Sequence, residues 1–248
     1  MAKRSKKTTK KKTTKGKKPQ RGFFLFGALR RLRRWVLFAV LGVLACAVGL
    51  TALYIVVNPP TTPYMISERR AHGFIERTYV PLEDIAPVMA RSAVAAEDAN
   101  FCLHWGLDVD AIRDRIARGG SGGASTISQQ VVKNVFLWHG RSWARKALEA
   151  AWTPLMEAMW SKERILEVYL NIAEFDTGVF GVQAAARHYF GVNAKELTAV
   201  QAARLAAILP APKSRSAADP TSGVRQRAAS ILDGAATIRV DGRASCFQ

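Results

Sequence analysis

The sequence predicts an all-α fold, one membrane-length helix followed by one helical domain, and three observations carry that reading. Trp35 to Val57 is a run of 23 residues without a charge, bounded by Arg30-Arg31-Leu32-Arg33-Arg34 before it and Asn58-Pro59-Pro60 after it. Helix-start signals recur beyond this run. β-branched residues never alternate with polar ones over a long stretch, so strands gain little support.

The first 34 residues hold 15 Lys and Arg and no acid, so of a formal net charge of +18 only +3 belongs to the remainder. A Lys/Thr-rich arm of this kind buries nothing and is read as disordered. So basic a chain raises the question of nucleic acid. With the excess confined to an arm beside an apolar run, it reads instead as a topology and anionic-lipid signal, and nucleic acid is set aside as a partner. At 1.5 Å per residue the run makes about 35 Å of helix, enough to cross a bilayer. A cleaved signal peptide has an apolar region of only about 7 to 15 residues. Val43-Leu44-Ala45-Cys46 faintly resembles a lipoprotein cleavage box, yet the apolar run continues for eleven residues past Cys46. The run is therefore read as an uncleaved transmembrane helix over 35–57. The positive-inside rule puts the arm, 1–34, in the cytoplasm and the rest outside it. Residues 58–64 are a linker, and 65–248 one body of ordinary domain size.

In the body, Pro87 can open a helix whose apolar face, Val88, Met89, Ala93, Val94 and Ala96, delivers Glu97 at its last turn. Ser161 can cap the helix that carries Ile165, Leu166, Tyr169 and Leu170 at core spacing. Asn193 with Glu196 resembles a capping box ahead of Leu197, Val200, Leu205 and Ile208, and Pro210 stops that helix. Pro154 inside a helical stretch predicts a kink or break. Gly119 to Ala124 makes a loop with almost no side chain to hold it, which reads as mobile. Cys102 and Cys246 make no framework and no metal-ligand spacing, and are read as two unpaired thiols.

Chemistry concentrates in four blocks. Glu97-Asp98 precedes Phe101, His104-Trp105-Gly106 and Asp108; Gly122-Gly123-Ala124-Ser125-Thr126-Ile127-Ser128-Gln129-Gln130 follows; then come Arg145-Lys146-x-x-Glu149 and Lys162-x-x-Ile165-Leu166-Glu167-x-Tyr169-Leu170-Asn171. A carboxylate pair beside aromatics supplies acid/base chemistry, and a Gly, Ser/Thr and Gln run can wrap a sugar. Glu97 ends an apolar helix near Phe101 and Trp105, so partial desolvation is expected to raise its pKa. A carboxylate is also unfavourable at a helix C-terminus, which argues against a decorative role. Glu149 lies one turn after Arg145 and projects from the same face. Alone, that pair would be an ordinary surface ion pair.

Together the four ordered blocks resemble the family of peptidoglycan glycosyltransferases (glycosyltransferase family 51), and most of all its small, monofunctional members. The resemblance covers about 65–235. It implies a lysozyme-like all-α domain in the bacterial inner membrane, with the catalytic body in the periplasm. The implied activity is polymerisation of lipid II into β-1,4 glycan strands by inverting transfer, with release of undecaprenyl pyrophosphate. Glu97 is implied as general base, and Glu149 as the second acid near the leaving group, with Mg2+ or another divalent cation close by and no organic cofactor. Ser125, Gln129 and Gln130 would line the sugar sites, with Asp98 in support and His104 structural. Lys133, Arg141, Arg145 and Lys162 would meet the pyrophosphate, with Lys146 ranked behind them. The basic residue that the family often carries between the first two blocks is left open among Arg113, Arg115 and Arg118.

Expected partners are lipid II and the growing glycan-lipid chain, the membrane, moenomycin-type inhibitors and cell-wall synthesis proteins. A transpeptidase domain would need further chain and a Ser-x-x-Lys motif, so a monofunctional enzyme is expected. A lytic transglycosylase or lysozyme is the alternative, but it has no use for the cations of the later blocks. A basic membrane scaffold leaves Glu97 and Glu149 together unexplained. Finally, part of Val135-Phe136-Leu137-Trp138, with Phe101 or Trp105, is expected to dip into the lipid interface.

Overall fold

The structure, a computed structural model, describes residues 21–117, 119, 125–140 and 142–248. The arm up to residue 20, Arg118, Arg141 and the glycine loop apart from Gly119 lie outside the described residues. Helix α1 runs Arg21–Val56, so residues 21–34, expected to have no fold, begin the helix instead. Its stretch Leu29–Val56, 28 residues of mean hydropathy 2.6, is long and apolar enough to cross a membrane. Its apolar side chains, Leu37, Phe38 and Leu44 among them, are exposed, as lipid contact requires.

A compact body begins at Val48, within the last turns of α1. The carbonyls that end a helix have no partner within it. Here the Arg164 guanidinium supplies them, donating to Tyr54 O at 3.1 and 3.0 Å and to Val57 O at 3.0 Å. Trp160 Nε1 donates to Thr51 O at 2.8 Å and Trp152 Nε1 to Thr51 Oγ1 at 2.9 Å. Arg77 takes the carbonyls of Pro59 and Pro60, each at 2.9 Å. The end of the apolar helix and the segment after it are thus hydrogen-bonded into the body. A chain shortened to begin at Tyr64 is expected to melt well below one beginning at Val48, because each buried polar group left unpaired costs about 1–3 kcal/mol. Equal melting temperatures for the two would show that these bonds are incidental.

The described elements of the body are α2 (Pro63–His72), β1 (Glu76–Arg77), α3 (Pro87–Glu97), α4 (Val109–Ala117), α5 (Ile127–Phe136), α6 (Trp143–Met159), α7 (Lys162–Ile172), β2 (Glu174–Asp176), β3 (Val179–Phe180), α8 (Val182–Phe190), α9 (Ala199–Ile208) and α10 (Ser222–Val240). The fold is all-α apart from one small sheet, in which β3 lies parallel to β1 and antiparallel to β2. These strands are too short for alternation to register in sequence. Ser161 caps α7 as expected, its hydroxyl accepting from Arg164 N at 3.1 Å, and α7 buries Ile165, Leu166, Val168, Tyr169 and Leu170. Helix α5 packs against α6 and α7, and α3 against α9 and α10.

Three local expectations are corrected. The Asn193–Glu196 box caps a single 3-10 turn, and α9 has its own box, Thr198 with Gln201. Helix α6 is not broken at Pro154; it runs on to Met159. Cys102 and Cys246 are joined as a disulfide, with Cα atoms 5.6 Å apart. Their 144-residue separation gave no hint of it. What brings them together is tertiary: Phe247 buries its ring beside Phe101, centroids 6.3 Å apart, and carries Cys246 onto the end of the α3 segment.

Candidate active site

Helix α3 ends at Glu97 and hands the chain to Asp98, which is buried and partnered on both oxygens. Its Oδ2 accepts from Ile127 N at 2.9 Å, in the first turn of α5, where an anion favours the helix dipole. Its Oδ1 lies 2.8 Å from His104 Nε2. Asp98 and His104 therefore join the first block to the second, and Asp98 has no oxygen free for a sugar. Thr126 makes a second join, donating its hydroxyl to Gly106 O at 2.5 Å. Gly106 must be glycine: its φ is +77°, and a Cβ there would sit 2.5 Å from Thr153 Cγ2.

Once α5 is docked, Gln130 Nε2 donates to Glu97 Oε2 at 2.9 Å. Gln129 does something else: it closes the capping box with Thr126 and is buried, so it builds the helix start. One turn after Gln130 comes Lys133, whose ammonium feels Glu149, Arg145, Lys146 and Glu97. Among the described residues, no group hydrogen-bonds or ion-pairs with its side chain. Burial pushes the Lys133 ammonium below the usual lysine range, with Glu149 and Glu97 opposing.

Glu149 is buried, not a surface residue, and cations take both its oxygens. Arg145 Nη1 donates to Oε2 at 2.5 Å, and the Lys146 ammonium to Oε1. Lys146 also donates to Ser125 Oγ at 3.0 Å. The ranking that set Lys146 behind the others is therefore corrected, since it ties Ser125 of the second block to Glu149 of the third. A divalent cation at Glu149 would have to displace one of these partners.

Lys162 is placed elsewhere. Its ammonium donates to Glu157 Oε1 and to His104 O, each at 2.8 Å, and lies 4.5 Å from the Phe101 ring centroid. It braces the first block from beneath. Arg113, one of the three open arginines, is exposed beside Asp110 at 3.3 Å. The aromatic surroundings expected for Glu97 are corrected too: Trp105 is 71% exposed and Phe101 lies in the core. In the apolar run after the second block Val135 and Leu137 are buried and Phe136 stacks on Trp152, centroids 4.8 Å apart, which leaves only Trp138 open to lipid.

A cleft of 240 Å³ runs along α5, with Gln130, Lys133 and Asn134 on one wall and Tyr64, His139 and Glu174 among its other lining residues. Sequence reasoning missed these last three. Tyr64 donates to Glu174 Oε2 at 2.5 Å and stacks on His139, centroids 3.6 Å apart. Burial and the nearby Lys133 and Arg145 hold His139 down to about 4, so it is neutral at physiological pH.

Burial raises the Glu97 carboxyl above its ordinary range; Gln130, Arg227 and Lys133 pull it part of the way back, and Asp98 pushes it up. Arg227 was also missed: its Nη2 lies 3.8 Å from Glu97 Oε1. A base with a raised pKa works only above it, so kcat/KM should fall on acidification at a pH above the usual carboxylate range, and a pH–rate profile reads the limb directly.

A buried, proton-hungry carboxylate at one end of a cleft, with desolvated and paired cations further along it, defines a glycosyl-transferring site on an α-helical body. The transglycosylase family model matches residues 67–236, and the chain belongs to that family. Among its relatives, the biosynthetic peptidoglycan transglycosylase of Jannaschia sp. (strain CCS1) is 61% identical over 216 residues, 87% of this chain and 90% of its own. The protein of the same name from Pseudomonas entomophila (strain L48) is 48% identical, covering 82% of this chain and 89% of its own. That from Caulobacter vibrioides is 44% identical, covering 88% and 97%.

Proposed function

We propose that this enzyme polymerises lipid II at the outer face of the bacterial inner membrane. The observation that carries the reading is Lys133, a buried ammonium without a partner of its own, lining the same cleft as Gln130, which holds the base Glu97. An unpaired buried cation is costly unless a ligand's anion completes it. A pyrophosphate does so, and a finished glycan strand does not, which favours synthesis over lytic cleavage.

In the reaction, Glu97 takes the proton from the 4-hydroxyl of the acceptor sugar. That oxygen attacks the anomeric carbon of the growing chain, α-linked to undecaprenyl pyrophosphate, and the bond to the phosphate oxygen breaks as the new β-1,4 bond forms. Single displacement inverts the centre, so no carboxylate nucleophile is needed. Lys133, with Arg145 and Lys146 held in place by Glu149, takes up the charge on the leaving pyrophosphate. Arg141 joins them in this reading. The chain's own cations carry the leaving-group chemistry. The apolar α1 keeps the body where its lipid substrate is. The exposed Trp138 and Trp105 offer a second interfacial contact in place of the whole apolar run.

Lys133→Ala should weaken binding of lipid II and of a moenomycin-type phosphoglycolipid at least about tenfold. Its melting temperature should hold or rise, since a desolvated charge leaves the fold. Unchanged affinity for both ligands would end the assignment of Lys133 to the pyrophosphate.

A further inference from the structure

The stretch that carries the base, from Pro87 to Cys102, is covered along its length by the last helix and the residues after it. Gly234 of α10 lies so close to α3 that a Cβ there would meet Ala95 Cβ at 3.3 Å. Arg227 Nη2 donates to Ala96 O at 3.2 Å, and Arg243 Nη1 to Ala99 O at 3.1 Å. Cys246 is bonded to Cys102, and Gln248 accepts from Arg91 Nη1 at 2.8 Å and donates to Pro87 O at 3.0 Å. Carbonyls on both sides of Glu97 are therefore held from one segment of chain.

Within this segment Arg227 has a particular geometry. Its Nη2 is hydrogen-bonded to the Ala96 carbonyl and stands 3.8 Å from Glu97 Oε1, close enough for Coulomb attraction and too far for a hydrogen bond. The other carboxylate oxygen, Oε2, is the one bonded to Gln130. The two oxygens are thus unequal: Oε2 is tied, while Oε1 faces a cation that leaves its lone pairs open.

We propose that Arg227 is the positioning residue for the base, holding the Glu97 carboxylate so that Oε1 is the atom that receives the acceptor's proton. This rests on Glu97 being the base. The groups that face Glu97 are Gln130 and Lys133 from α5, Tyr169 from α7, Asp98 at the end of α3 and Arg227 from α10. Of these, Arg227 and Lys133 are the two cations. Lys133 is assigned to the leaving group, which leaves Arg227 to favour the ionised base without occupying it. A carboxylate buried at a helix C-terminus is otherwise disfavoured as an anion by both desolvation and the dipole. The Cys102–Cys246 bond braces the same stretch on the far side of Glu97.

The test compares Arg227→Gln, Arg227→Lys and Glu97→Gln in the full-length protein, by steady-state kinetics on lipid II across pH. Arg227→Gln should lower kcat about tenfold with KM within about twofold, and move the acidic limb of kcat/KM up by roughly one unit, the scale of one lost neighbouring charge. Arg227→Lys, which keeps the charge, should return the limb toward its wild-type position even if it folds less stably. A limb that stays put in folded Arg227→Gln, with Glu97→Gln inactive, overturns the positioning role alone. Full activity in Glu97→Gln overturns the base assignment beneath it.

Discussion

Glu97→Gln is expected to lower the polymerisation rate at least about a hundredfold, the usual size of a general-base contribution, while lipid II binding survives. The substitution keeps the size of the side chain and can still face Gln130, but it has no lone pair basic enough to take a hydroxyl proton. The same variant should be more stable than the parent at neutral pH. The folded-state pKa of Glu97 is raised, so its contribution to stability is present in full below the unfolded-state value and lost as pH rises through the folded-state value. Near pH 7 the parent therefore carries a buried charge that the Gln variant lacks. A melting curve taken at pH 7 and again at acid pH should show the advantage at neutral pH only. A variant that is both active and no more stable would remove Glu97 from the chemistry.

The second large effect belongs to Glu149. Its carboxylate is buried between the Arg145 guanidinium, itself mostly buried, and the Lys146 ammonium. Removing one partner of a buried ion pair leaves an uncompensated charge, at a cost of about 3–5 kcal/mol. Glu149→Ala should thus lose both stability and activity, because Lys146 then loses its place beside Ser125 and Arg145 its place along the cleft. Glu149→Gln should recover part of the stability and little of the rate. Denaturant unfolding separates the two effects. If Glu149→Ala unfolds at the same denaturant midpoint as the parent, the cluster is not the buried unit described here.

Much of this arrangement was legible in the sequence, because the fold is built from local signals. Pro87, Ser161 and the apolar spacing of Ile165, Leu166, Tyr169 and Leu170 specify helices wherever they occur. The i, i+4 spacing put Arg145 and Glu149 on one face, and the structure pairs them. What spacing could not say was which side of that face is buried, and so whether the pair is a surface ornament or a cation cluster. Lys146 and Lys162 illustrate the same gap. Each is one charge in a matched block, and only packing decides that Lys146 reaches Ser125 while Lys162 is held by Glu157 and the His104 carbonyl. Arg227, Tyr64, Glu174 and the Cys102–Cys246 bond were invisible for a common reason. Each acts across more than 100 residues of chain, and no local pattern marks a partner at that distance. One signal was available for Arg227: it lies on the buried side of α10 near Ala228 and Ile231, where a cation needs a reason to be.

The central claim is that this chain makes glycan from a lipid-linked donor. Purified protein in detergent or liposomes should be given lipid II alone and the products separated by size. The account predicts glycan polymer that a muramidase digests, with one undecaprenyl pyrophosphate released for each bond formed and no product from Glu97→Gln. Absence of polymer from lipid II, together with release of soluble fragments from finished peptidoglycan, would contradict it.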